Sequence, residues 1–162
     1  MRTILMIFIA GLLGACATQY QPQGATGGFT ETQLDRNVFR VTFSANAYTS
    51  AQQAEEMALL RSAEVTLKNG FTHFVITQGK SSAEYSAHTT PTYSDTTVSS
   101  RRGKAYASTT TYGGETRVST FPTTTNTITC FKGRPNVPGV VHDARFVVNS
   151  LSPKYGAAGT AK

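Results

Sequence analysis

The sequence predicts an α+β domain: one principal helix packed on a small sheet of about four strands, with a βαβ-type start. Three consecutive segments predict it. Residues 38–44 alternate apolar and polar, residues 50–68 carry a capped helical pattern, and residues 71–77 are rich in aromatic and β-branched side chains. The domain is expected over residues 33–152, as one unit with a modest core.

In the first segment Phe39, Val41 and Phe43 alternate with Arg40, Thr42 and Ser44, the signature of a half-buried strand. Residues 46–49 read as the turn out of it. The helix that comes next has Ser50 and Gln53 spaced for a capping box, with Glu55 and Glu56 near the positive end of the helix dipole. Met57, Leu60, Ala63 and Leu67 form one apolar stripe, widened by Ala54, Ala58 and Val65. Arg61 and Glu64 are spaced to pair, and Lys68 with Asn69-Gly70 supplies the stop. The run 71–77 contains neither Pro nor Gly and reads as an interior strand.

From residue 81 the composition changes. Ser and Thr make up 23 of the 49 residues 81–129, too hydroxyl-rich to build a core of their own. Over 81–126 two readings stay open. One is a flexible surface excursion. The other is a pair of exposed strands with Gly113-Gly114 at a hairpin turn; a mixture, with partial strand over 104–121, is expected. Order is expected again in a short strand at 127–132, a rigid connection at 133–139, and a last strand at 144–151 containing Phe146, Val147, Val148 and Leu151. Residues 153–162 read as a flexible tail.

The amino terminus carries the clearest address. Arg2 precedes a ten-residue apolar run at 4–13, too short to cross a hydrocarbon core of about 30 Å as a helix. Leu13-Gly14-Ala15-Cys16 then resembles the lipobox of bacterial lipoproteins. That resemblance implies a signal peptide over 1–15, cleavage between Ala15 and Cys16, and a diacylglyceryl thioether with palmitate-type acylation on Cys16. Three acyl chains make such attachment effectively permanent. Ala17 stands where an inner-membrane retention signal of this class has aspartate, which implies the outer membrane, with the domain in the periplasm. An ordinary secretory signal is the alternative. Residues 16–32, polar and glycine-bearing, read as the lipidated cysteine and a flexible tether.

The chain has a formal charge of +6; removing Arg2 with the signal leaves 14 basic and 9 acidic side chains. That excess suits anionic envelope surfaces. No stripe of Lys and Arg interleaved with aromatics marks a nucleic-acid binder. Of the two cysteines, lipidation of Cys16 leaves Cys130 without a disulfide partner. Cys130 shares a strand face with Ile128 and reads as a packed core thiol. A nucleophile served by His142 and Asp143 is the enzymatic alternative, and an envelope hydrolase using a serine is another. His73, His88 and His142 lack metal-ligand spacing, so neither a metal nor a cofactor is expected. The candidate binding surface consists of Tyr85, Tyr93, Tyr106 and Tyr112 with Arg101, Arg102 and Lys104. An envelope protein or a cell-wall glycan is its expected partner.

Ala47-Tyr48-Thr49-Ser50, Ala54-Glu55, Ala58-Leu59-Leu60-Arg61-Ser62-Ala63-Glu64 and Gly70-Phe71-Thr72-His73-Phe74-Val75-Ile76 carry a family resemblance. With Gly27-Gly28-Phe29 and the lipobox, they resemble a family of small uncharacterised lipoproteins of alphaproteobacteria, over residues 25–80. The resemblance implies a class and no catalytic residues. A looser similarity is to the periplasmic domain of the Rcs stress-sensing lipoprotein, whose disulfides a lone Cys130 cannot make. The expectation is a lipid-anchored, non-enzymatic binding or scaffolding module, with a purely structural lipoprotein as a further alternative. Its oligomeric state is left open.

Overall fold

A computed structural model describes residues 17–155. The chain runs β1 (Gly28–Asp35), β2 (Val38–Ser44), α1 (Ala51–Lys68), β3 (His73–Thr89), β4 (Tyr93–Arg101), β5 (Lys104–Tyr112), β6 (Thr116–Phe131), β7 (Val141–Asp143) and α2 (Ala144–Tyr155). Five strands form one sheet in the order β1-β2-β6-β3-β7, and β4 pairs with β5 in a second. The α+β class therefore holds, with a larger sheet than the expected four strands. Two compact units divide the chain: residues 85–119 form one, and the remaining described residues the other.

The start of the domain follows the sequence closely. Phe39, Val41 and Phe43 are buried on β2. At the head of α1 the Ser50 hydroxyl accepts from the Gln53 N–H (3.2 Å) while the Gln53 side chain accepts from the Ser50 N–H (3.0 Å). Asn69 caps the far end and Gly70 comes next at φ 77°. The Glu55 and Glu56 side chains lie beyond the first turn and make tertiary contacts, to Ser81 and to α2, in place of the expected dipole role. Ser62 and Thr66, polar yet fully buried, each donate to the carbonyl four residues back.

β2 is antiparallel to β6, with Phe39 opposite Ile128. Along β3 and β6 the contacts run in opposite directions: Thr72 N–H to the Phe131 carbonyl, Thr77 hydroxyl to the Thr127 carbonyl, Ser81 beside Thr124. β2 and β3 are therefore parallel with β6 between them, a βαβ start opened by a late strand. The core joins this sheet to both helices through Phe39, Val41, Val65, Phe74, Ile128 and Cys130, and through Phe43, Ala54, Met57 and Leu60. Each fully buried Phe or Leu contributes about 1.5–3 kcal/mol.

The amino-terminal segment departs from expectation. Residues 18–32 are not a flexible tether: Thr18 and Tyr20 are buried, and β1 begins at Gly28. Polar composition misled because β1 is an edge strand with exposed side chains, held by main-chain pairing to β2. Gly28 permits the approach; at φ 137° a Cβ would sit 2.5 Å from the Gln21 carbonyl oxygen.

The segment 81–126 is largely strand rather than a loose excursion. β3 continues past the expected limit of Thr77 to Thr89, and β6 begins at Thr116 instead of Thr127. Alternation along β6 is the physical reason. Pro122, Thr124, Asn126, Ile128 and Cys130 are all buried. Among the polar residues at these inward positions, the Thr124 hydroxyl finds that of Ser81 at 3.4 Å. The hairpin turn is at Arg102-Gly103, not Gly113-Gly114, and both turn residues have positive φ.

The last segment is the short strand β7 followed by helix α2, in place of a strand at 144–151. Asp143 accepts the Phe146 N–H (3.0 Å) as an amino-terminal cap. Ala144 and Val147 are buried, with Val148, Leu151 and Tyr155 packed on the core at helical spacing, while Phe146 is exposed. Three adjacent apolar residues mimic a strand. The expected tail loses residues 153–155 to α2, where Lys154 and Tyr155 both donate to Glu56; its remainder lies outside the described residues.

Candidate functional site

Ala15 and Cys16, the predicted cleavage and lipidation positions, lie outside the described residues. The chain is anchored almost immediately beyond them. The Thr18 N–H donates to the Thr49 hydroxyl (2.9 Å), and the Thr18 hydroxyl accepts from Asn46 N–H (2.7 Å). Tyr20 donates to Glu64 (2.6 Å) and packs its ring 5.0 Å from Phe29. Arg61 reaches both Glu64 (2.8 Å) and Glu31 (2.7 Å) and lies 4.0 Å above the Phe29 ring. Burial and the Glu64 carboxylate push the Tyr20 phenol up. Burial opposes ionisation of Glu31, but Lys68 and Arg61 hold its carboxyl below the usual range. The Arg61–Glu64 pair expected on a helix surface is thus part of the clamp on the chain just after Cys16.

The predicted binding surface divides. Tyr85 is exposed on β3, in the five-stranded sheet. The other residues gather on the β4–β5 hairpin. Its register sets Tyr93 opposite Tyr112, Asp95 opposite Thr110, Thr97 opposite Ser108, Ser99 opposite Tyr106, and Arg101 opposite Lys104. Opposed residues share a face and alternate pairs share the same one, so three tyrosines and two cations lie on one side. The intervening pairs, Ser94–Thr111, Thr96–Thr109, Val98–Ala107 and Ser100–Ala105, form the other side. On it the Thr96 and Thr109 hydroxyls meet at 3.0 Å. Arg101, Arg102, Lys104 and Tyr106 line a hollow of about 640 Å³ at the tip.

Cys130 is buried, and its sulfur lies 3.4 Å from the Thr66 hydroxyl. Burial pushes its thiol up, against the lowering effect of that hydrogen bond. His142 stacks on Phe74, ring centroids 5.0 Å apart, and burial lowers its pKa. Asp143 caps α2, and the Phe146 N–H it accepts holds its carboxyl below the usual range. His73 Nε2 lies 4.0 Å from Asp143, and His88 is exposed. Cys130, His142 and Asp143, the alternative catalytic set, thus each have a structural contact of their own.

One concavity was not legible in the sequence. A groove of about 390 Å³ lies among Glu55, Leu59, Ile76, Lys80, Ser81 and His142, with Ser81 donating to Glu55 (2.8 Å). Its walls come from α1, β3, β6 and β7, so no short spacing announces it. Compared with family models, curated proteins and solved structures, this chain matches none significantly.

Proposed function

We propose that the protein is a lipid-anchored module of the cell envelope that binds through its β4–β5 hairpin and performs no chemistry of its own. The observation that carries this reading is the clamp on residues 18–20, taken with the lipobox. Thr18 is two residues beyond Cys16, and covalent geometry limits that reach to about 7 Å. A lipid on Cys16 would therefore hold the folded domain against the head groups rather than on a long leash. The outer membrane, facing the periplasm, is the proposed address, from Ala17 after Cys16 and the likeness of 25–80 to small alphaproteobacterial lipoproteins.

The hairpin supports the binding role, since it spends large aromatic side chains on solvent. The Cys130 thiol supports a non-enzymatic reading, because it is enclosed and hydrogen-bonded within the core. The test is Cys16→Ser expressed beside the parent chain in cells fed labelled palmitate. The parent should carry label and sediment with membranes, while the variant should lose both and keep its fold. Unlabelled parent protein, or unchanged sedimentation of the variant, would overturn the anchor.

A further inference from the structure

We infer that the tyrosine-bearing side of the β4–β5 hairpin is a docking strip for a mostly neutral glycan carrying carboxylates at intervals, a peptide-substituted cell-wall polysaccharide. This rests on the envelope-binding reading and names its ligand. From Tyr93–Tyr112 to Arg101–Lys104 the strip spans eight residue steps, about 27 Å at the rise of an antiparallel strand.

The two sides of the hairpin differ in chemistry. The opposite side offers hydroxyls, methyls and Val98, with no ring and no charge. The docking side offers Tyr93, Tyr106 and Tyr112, which are 68%, 56% and 61% exposed. A phenol ring is flat and apolar with a polar edge, matching the C–H face and hydroxyl rim of a pyranose. Thr97, Ser108, Ser99 and Thr110 place hydroxyl donors and acceptors between the rings. Arg101 and Lys104, joined at the turn by Arg102, supply the charge for a carboxylate.

Charge placement selects the class of polymer. The cations occupy one end only, and Asp95 sits on the same side toward the other end. A polyphosphate chain, with an anion on every repeat, would meet Asp95 along its length. A glycan with sparse acidic substituents can set one at the tip and neutral sugars over the rings.

The experiment is co-sedimentation of the full chain, in detergent, with purified peptidoglycan sacculi. Parallel arms use sacculi with amidated carboxyls, neutral chitin, and vesicles of anionic phospholipid. Variants are Tyr106→Ser, the triple Arg101→Gln/Arg102→Asn/Lys104→Gln, and the opposite-side control Thr96→Val/Thr109→Val. Asn suits the left-handed turn position while removing its charge. The parent should sediment with sacculi, and both docking-side changes should weaken retention about tenfold, as loss of a central contact does. Amidation should weaken the parent and leave the triple variant no weaker than before; the control should bind like the parent. Absence of sedimentation, equal binding to amidated sacculi, stronger retention on vesicles, or equal loss in the control would overturn the proposal. Hydrogen exchange over residues 93–112 checks that each variant keeps its hairpin. Palmitate labelling of the same preparations separates the two readings: labelled protein that ignores sacculi refutes the glycan alone, and unlabelled protein that binds them refutes the anchor alone.

Discussion

The Tyr20 hydroxyl donates a 2.6 Å hydrogen bond to the Glu64 carboxylate, tying the segment after Cys16 to helix α1. Glu64 is shared with Arg61, which also binds Glu31 on β1. Glu64 and Arg61 together thus join the amino-terminal segment, the edge strand and the helix.

Removing only the hydroxyl should loosen that joint. Tyr20→Phe is expected to lower stability by about 1.5–3 kcal/mol, the range for a hydrogen bond to a charged group. Limited proteolysis should then cut residues 17–27 faster in the variant. Equal cutting rates would show that Thr18 and the ring packing hold the segment unaided.

Acid should act on the contact between the helices. Lys154, Tyr155 and Gln52 bind the Glu56 carboxylate and lower its pKa from 4.5 to about 2. A depressed folded-state pKa stabilises above the unfolded value and is lost as pH falls toward the folded one. The parent should therefore lose this contribution between about pH 4.5 and 2, and Glu56→Gln should show a shallower loss there. Parallel unfolding curves for the two proteins across that window would contradict the assignment.

Cys130 should behave as a core residue. Its thiol is expected to resist alkylation in the folded chain and react fully in denaturant, because burial disfavours the thiolate. Cys130→Ala should cost about 1–2 kcal/mol through the small cavity it leaves. Rapid alkylation under native conditions would show an accessible nucleophile and revive the enzymatic alternative.

The base of the hairpin depends on Gly113. At φ 87° an added Cβ would stand 2.0 Å from the Pro91 carbonyl oxygen. Gly113→Ala is expected to cost about 1–3 kcal/mol of local strain. Hydrogen exchange should show lost protection over 93–112 with protection kept at 38–44. Loss in both regions would mean that the two units unfold together.

The sequence determined what local physics controls. The β2 alternation, the Ser50–Gln53 capping box and the Asn69-Gly70 stop depend on neighbours a few residues apart, and each is present as read. The tyrosines and cations of the hairpin were recognisable as types. Their meeting on one side required the register set by the Arg102-Gly103 turn, and Arg is an uncommon occupant of a left-handed turn position. Tertiary structure alone decided the rest. Polar residues 18–35 became ordered because β2 offered an edge and Glu64 a partner. Thr124 became interior with its hydroxyl beside that of Ser81 on the neighbouring strand. The run 144–151 became helix because Asp143 capped it and the core accepted its helical stripe. Composition records what a side chain prefers in water; only the assembled neighbours determine whether its polar groups are satisfied out of it.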